Sequence, residues 1–379
     1  VRSRPVVIAG AGIGGLTAAL ALAQRGIQCV VIEKAPELAA VGAGVQLSPN
    51  ASRILTGLGL RDALAERATV PLAVTLNSVH AGGKVARLPL HQIDDAPYWV
   101  IRRADLQTVL RAAAETNPSI SLRLGATVDG FTDHGDLTVQ AAGKSFHAAA
   151  LIGADGVGSP IRQRLFPGSV PQASGRVAWR GLAERAMPGP PGIQLWMGPS
   201  AHLVAYPVES GTRTNLVVTL PDGADGSADR TGESIAAQLA ETGWPVPPRD
   251  LVASAPRLTR YPLLTVPPLS AWSAGRVALL GDAAHAMLPF AAQGAAMAIE
   301  DAAVLAGCLG DGSTDIPAAL ARYARLRSPR VARVAGAASQ SGRIYHMSGA
   351  MALARDNAIR LLGGRLLLRR QSWIYDWRI

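Results

Sequence analysis

Val6-Val7-Ile8-Ala9-Gly10-Ala11-Gly12-Ile13-Gly14-Gly15-Leu16-Thr17-Ala18-Ala19-Leu20-Ala21-Leu22 is the stretch that decides the fold. Its apolar start reads as a buried strand and Leu16 to Leu22 as a helix, so Gly10-x-Gly12-x-x-Gly15 falls at a strand-to-helix turn. Gly10 permits the tight turn, Gly12 lets a pyrophosphate approach the backbone, and Gly15 lets helix and strand pack closely. The helix N-terminus adds free N–H groups and positive dipole charge. A second strand, Gln28-Cys29-Val30-Val31-Ile32, ends at Glu33, eighteen residues beyond Gly15, where a carboxylate accepts hydrogen bonds from ribose hydroxyls. Strand, turn, helix, strand and acid in this order predict a dinucleotide site.

Outward from that turn, the loop Val41-Gly42-Ala43-Gly44-Val45-Gln46-Leu47-Ser48-Pro49-Asn50 leads into a helix from about Ala51 to Leu60, capped by Asn50. Residues 72–90 alternate like a hairpin around Ala81-Gly82-Gly83, and Arg103 to Ala114 is helical. Ala149 to Ala154 reads as another strand, closing in Asp155-Gly156 before a short helix from Pro160 to Leu165. From Arg176 to about Pro268 the pattern becomes short β-rich runs (177–182, 193–197, 202–208 and 215–220) with one helix, 232–242. The all-apolar strand Val277-Ala278-Leu279-Leu280 then returns, as a strand covered on both faces should read. Asp282 follows its carboxyl end, where open α/β sheets place ligands. The expected architecture is α/β. A discontinuous nucleotide-binding domain (1–70, 98–172 and 270–340) carries an inserted β-rich substrate domain (71–97 and 173–269) and a C-terminal helical segment (341–379).

The chain of 379 residues suits two domains, and 49% apolar against 17% charged residues excludes a disordered chain. The most apolar late stretch, 291–309, is interrupted by Gln293, Glu300 and Asp301, so no transmembrane segment is expected. A strand starting within the first ten residues leaves no room for a signal peptide, and Cys29 and Cys308 lack metal or disulfide spacing. A cytoplasmic location and no metal are the expectations. The net charge of +10 is almost entirely arginine and can attract anionic ligands such as a pyrophosphate or an aromatic carboxylate. The arginines are spread out with no aromatic-interleaved patch, so no nucleic-acid partner is expected. Only Arg360 to Arg370, with Leu361, Leu362, Leu366, Leu367 and Leu368 between, is dense enough to suggest an acidic surface or a membrane face; an ordinary docking helix is the simpler reading.

Four segments in order carry a resemblance. They are the glycine turn with Glu33, the Gly42-Ala43-Gly44 loop, Asp155-Gly156 within Ile152 to Ser159, and Gly281-Asp282-Ala283-Ala284-His285 running on to Gln293-Gly294-Ala295 and Glu300-Asp301-Ala302. From Val6 to Leu305 the chain resembles the class A flavoprotein aromatic hydroxylases, the p-hydroxybenzoate hydroxylase fold group, and within it the salicylate, 3-hydroxybenzoate and 6-hydroxynicotinate hydroxylases. That resemblance implies a Rossmann-like FAD domain of glutathione-reductase type. It also implies NADH or NADPH as transient reductant, O2 as co-substrate, a flavin C4a-hydroperoxide as the oxygen donor, and a small aromatic substrate, expected to be a hydroxylated carboxylate. Monomer and homodimer both stay open.

Residue by residue, the resemblance assigns Asp282 to a ribityl or ribose oxygen and Arg103 to the pyrophosphate and ribityl chain. Asp155 touches FAD and the route of the nicotinamide, and from the residues alone it is equally a turn former before Ser159-Pro160. Pro289 to Gly294 lies beneath the isoalloxazine. The N–H groups of Gly294 and Ala295, with Ala296 behind them, face the flavin edge where negative charge collects, and a helix terminus contributes about 0.3–1 kcal/mol there. Ile13, Gly14, Lys34, Gly44, Val45, Val128, Gly281 and Gln293 complete the implied cofactor contacts.

For catalysis the ring is activated by removing a phenolic proton, so a base is wanted. Of the seven histidines, His202 stands on a substrate-domain strand, and the resemblance matches it to the base of 3-hydroxybenzoate-type enzymes. On the residues alone a strand histidine satisfied by backbone groups is the preferred reading. The i,i+4 relation puts Tyr206 on the same strand face. An unperturbed phenol near 10 and a histidine near 6.5 differ by roughly 3.5 units, about 5 kcal/mol against transfer, so His202 needs a relay or a nearby positive charge. Gln46, Trp196, Met287, Leu288 and Phe290 are the expected substrate-facing residues. Ala286 and Gln46 depart from relatives that carry Pro and His there, which puts a pyridine substrate in doubt. Two other readings stay open: a hydroxylase or epoxidase of a lipid-like quinone precursor, and a flavin-binding protein without turnover.

Overall fold

The computed structural model describes residues 4–38, 44–90, 96–223, 226–312 and 314–379. The apolar strands Val6–Ala9 and Cys29–Glu33 are enclosed on both faces and therefore sit inside a parallel sheet. Its order is Ser273–Ala274, Val277–Leu279, Ala150–Gly153, Val6–Ala9, Cys29–Glu33, Ile120–Leu124. Every pair is parallel except the first. Helices Ile13–Gln24 and Gly294–Leu309 cross tightly over this sheet. A Cβ on Gly14 would come within 2.7 Å of Leu280 and 3.2 Å of Ala298, so the approach requires glycine.

A second sheet of eight strands runs Asp229–Arg230, Leu258–Thr265, Gln172–Ala183, Arg213–Pro221, Ala201–Val208, Ile193–Gly198, Ala73–Ser78, Gly83–Pro89. Its outer face is closed by helices Gly232–Glu241 and Val246–Ala253 around Trp179, Trp196, Leu203, Val218, Ile235 and Trp244. Side chains alternate across each strand. The register Ala178↔Thr219↔His202, Arg180↔Val217↔Val204 and Leu182↔Asn215↔Tyr206 therefore places His202, Tyr206, Arg180, Asn215 and Thr219 on the inner face. That face meets the turn Pro289–Ala291 and the end of the helix Ile316–Tyr345 through Leu288, Phe290 and Tyr345.

Elements read from the sequence recur with shifted ends. The helix expected from Ala51 is Pro49–Gly57, because proline is favoured in a first helical turn, and it stops before Gly59 at φ +79°. The antiparallel sheet Val128–Asp133, Leu137–Ala141, Lys144–Ala148 and the strand Leu258–Thr265 went unassigned. Their burial alternates with exposed polar positions rather than forming a continuous apolar run. The leucine- and arginine-rich C-terminal run lies in the helix Gly349–Arg369, interrupted at Gly363. It docks on Gly83–Pro89: a Cβ on Gly364 would fall 1.8 Å from the Arg87 carbonyl, and Leu368 is buried. Among the described residues no helix is long and apolar enough to cross a membrane.

Candidate active site

The glycine turn has the stereochemistry its spacing predicts. Gly10 adopts φ +104°, and a Cβ there would lie 2.4 Å from the Ala154 carbonyl; one on Gly15 would lie 1.9 Å from the Gly10 carbonyl. Gly12 differs, with no atom within 4 Å of an added Cβ, so open space faces the backbone where a phosphate would approach. Gly12 is also the N-cap of Ile13–Gln24, and no side chain caps that helix. Glu33 accepts from the Ala11 N–H at 2.8 Å and the Ala35 N–H at 2.9 Å, one per carboxylate oxygen, leaving lone pairs for ribose hydroxyls. Exposed Lys34 follows, and the segment leading to Val128 lies alongside, held by the Ala126 N–H on the Glu33 carbonyl at 2.9 Å.

Two loops distant in sequence are clamped beside this turn. Arg162, with no exposed surface, donates to the carbonyls of Val157 (2.6 Å), Ser169 (3.0 Å) and Ala283 (3.0 Å). It thereby joins the Asp155-Gly156 loop to the Asp282–His285 helix. Asp155 accepts from the Ile161 N–H at 3.3 Å, while Ser159 is the helix cap, and the second Asp155 oxygen is buried with no protein partner. Burial pushes its carboxyl up, against the pull of Ser159, the Ile161 N–H and Arg162. Asp282 is exposed beside Gly281, at φ +62°.

Below Asp282 lies a buried polar network. Asp301 accepts from the Gly281 N–H at 3.1 Å and pairs with His285 Nε2 at 2.6 Å and Arg327 Nε at 2.7 Å. Glu300 pairs with Arg327 at 2.8 Å and Arg330 at 3.0 Å and accepts from Asn50 at 2.7 Å. The Gln293 side chain lies buried between Ser48 (2.9 Å) and Asn50 (3.0 Å), so it fixes the loop. The adjoining helix Gly294–Leu309 has no side-chain cap; Gly294 and Ala295 are part-exposed, and the Ala296 side chain is in the core.

His202, 3% exposed, is wrapped by Phe290 (ring centroids 5.0 Å apart), Tyr345 (5.4 Å) and His346, whose Nε2 is 2.8 Å from His202 Nδ1. Burial, with His346 and Arg176, pushes the His202 imidazole well below its ordinary range. Tyr206, further along the strand, lies under Gly44, and burial raises its hydroxyl while Arg180 pulls the other way. Gln46 joins this end by accepting from the Tyr98 hydroxyl at 2.7 Å. Arg180 lies over the Tyr261 ring at 5.3 Å with its Nε buried and unpartnered, and burial, with Arg103, lowers its guanidinium against the opposing pull of Tyr206, Tyr261 and Asp282.

Phe290 thus meets His202 on the inner face, and Leu288 packs against the same cluster as Phe290. Trp196 requires a correction. It pairs with Leu203, one residue out of phase with His202, and points into the outer core with Trp244, so it cannot share a pocket with His202. Met287 packs against the core around the six-stranded sheet instead of joining that cluster. Val45 and Gly44 form a strand with Gln46, whereas Gly42 and Ala43 lie outside the described residues. Arg162, Asp301, Arg180 and His346 were not singled out as site residues from the sequence. Glu300-Asp301 is visible as a motif, but Ala283 lies 121 residues from Arg162 and His202 lies 144 residues from His346.

An open phosphate approach at Gly12, two uncapped helix N-termini, an unpartnered Asp155 oxygen and exposed Asp282 fit FAD. Fold and site together define a flavin-dependent oxidoreductase. The chain belongs to the FAD binding domain family, which matches residues 3–338. It is 35% identical to 3-hydroxybenzoate 6-hydroxylase of Polaromonas naphthalenivorans over 99% of this chain and 96% of that protein. It is 36% identical to 3-amino-4-hydroxybenzoate 2-monooxygenase PtmB3 of Streptomyces platensis, covering 99% and 96%. Among solved structures it superposes on Klebsiella pneumoniae HpxO complexed with FAD and uric acid at a TM-score of 0.86, with 28% identity and coverage of 99% and 97%. A salicylate hydroxylase substrate complex gives a TM-score of 0.83 at 25% identity, covering 100% and 96%. The protein is an FAD-dependent aromatic monooxygenase.

Proposed function

We propose that this enzyme uses NADH or NADPH and O2 to hydroxylate a small hydroxylated aromatic carboxylate bound against the inner face of the eight-stranded sheet. The observation that carries the reading is His202, buried among Phe290, Tyr345 and His346 with one ring nitrogen engaged and the other without a partner among the described residues. The hydroxybenzoate relatives support the substrate class.

FAD, when bound, supplies the electron transfer and oxygen activation. Gly12, Glu33, Arg103 and Asp282 would hold it, with the N-termini of Ile13–Gln24 and Gly294–Leu309 placing positive dipole charge toward it. Residues 1–70, 98–172 and 270–340 would form the cofactor domain and 71–97 with 173–269 the substrate domain. On the substrate side, Leu288 and Phe290 exclude water and His202 Nε2 accepts the hydroxyl proton. Arg180, whose guanidinium has no hydrogen-bond partner among the described residues, offers its charge to an aromatic anion. The test is a panel of hydroxybenzoates assayed for stimulated NAD(P)H oxidation together with hydroxylated product. Oxidation that no aromatic acid stimulates would favour a flavin protein without turnover.

A further inference from the structure

We infer that His346 carries to solvent the proton that His202 takes from the substrate hydroxyl. The inference rests on the proposed role of His202 and extends the site to a residue on another element. Nδ1 of His202 and Nε2 of His346 are 2.8 Å apart, and their rings are tilted by 31° with centroids 5.0 Å apart. One of the two nitrogens must hold the proton between them. With the proton on His202 Nδ1, its Nε2 is left as the acceptor and His346 carries its own proton on Nδ1.

The contrast in exposure gives the pair a direction. His202 is almost fully enclosed, whereas His346 is half-buried just beyond the end of the helix Ile316–Tyr345. Its backbone is pinned, with N–H on the Gly342 carbonyl at 3.2 Å and carbonyl accepting from Ser200 at 3.4 Å. Arg176 is the cation facing both rings, and Tyr345 and Phe290 complete the surroundings. Burial and Arg176 push His346 down to about 4, and His202 is lowered too, so both rings rest neutral with one N–H and one free acceptor nitrogen each, the state that a tautomer exchange needs.

The step balances without electron transfer. The hydroxyl O–H bond breaks as His202 Nε2–H forms, His202 Nδ1–H passes to His346 Nε2, and the His346 Nδ1 proton leaves to water. Both rings end neutral with their tautomers exchanged. Reprotonation of the product oxygen along the reverse path restores them.

The experiment mixes FAD-loaded, oxidised enzyme with 3-hydroxybenzoate in weak buffer and follows proton release with an indicator dye, alongside binding and steady-state turnover. His346→Gln and His346→Leu should both slow proton release and kcat by about tenfold or more with aromatic affinity little changed, and added imidazole should restore part of the rate. His346→Gln can still accept from His202 Nδ1, so wild-type release in that variant alone would overturn the relay and leave only a positioning contact. Normal release in both variants would overturn it outright. A wild type that hydroxylates no hydroxybenzoate would instead overturn the proposed function, and this inference with it.

Discussion

Arg162 Nη1 donates to the Ala283 carbonyl at 3.0 Å, bridging 121 positions of sequence and locking the Asp155 loop to the Asp282 turn. Arg162→Leu leaves three carbonyls without their donor, and the buried one of Ala283 alone costs about 1–3 kcal/mol if nothing replaces it. The variant should melt well below wild type, and its apoprotein should bind FAD at least tenfold more weakly. Thermal unfolding and flavin-fluorescence titration check both; unchanged FAD affinity would show that the clamp does not position the site.

Gly44, on the strand Gly44–Leu47, meets Tyr206 of the eight-stranded sheet: a Cβ on Gly44 would lie 2.5 Å from the tyrosine ring. Gly44→Ala should cost about 1–3 kcal/mol through overpacking, and Gly44→Ala combined with Tyr206→Leu should recover part of it. Additive losses in a denaturant double-mutant cycle would contradict the contact.

Acid should destabilise the fold through the histidine pair. Burial, with Arg176, lowers both imidazoles from their ordinary 6.5, His346 to about 4, so below pH 6.5 the unfolded chain binds more protons than the folded one. Their contribution is complete above pH 6.5 and declines as pH falls towards 4. The double variant His202→Gln with His346→Gln should flatten that part of the profile in urea titrations across pH 4 to 7. Asp301 has the opposite cause. Burial raises its carboxyl, but His285 and Arg327 outweigh that and lower it below 3.8, so its contribution is lost only under stronger acid.

His202→Ala should cut hydroxylation by about a hundredfold or more while leaving FAD content unchanged, because His202 sits on the eight-stranded sheet and not at the glycine turn. Product per flavin, measured by chromatography, reads both quantities. Unchanged turnover would remove His202 from the mechanism.

What could be read from the chain was whatever local geometry encodes. Gly10, Gly12, Gly15 and Glu33 act within one strand–helix–strand unit, so their spacing suffices. Trp196 shows the limit, since a strand's ends are visible in sequence but its register is not, and one residue of phase reverses its face. Met197, not Trp196, lies opposite His202. Arg162 and His346 were out of reach for another reason: an arginine that holds carbonyls has no partner motif, and His346 gains meaning only when a helix end reaches the sheet.

The most direct test is a crystal structure of the FAD-loaded enzyme with whichever aromatic acid yields product. The ring should lie between the flavin and the inner sheet face, its hydroxyl within hydrogen-bond reach of His202 Nε2 and its edge against Leu288 and Phe290. A ring bound away from His202, or on the outer face beside Trp179 and Arg230, would contradict the account.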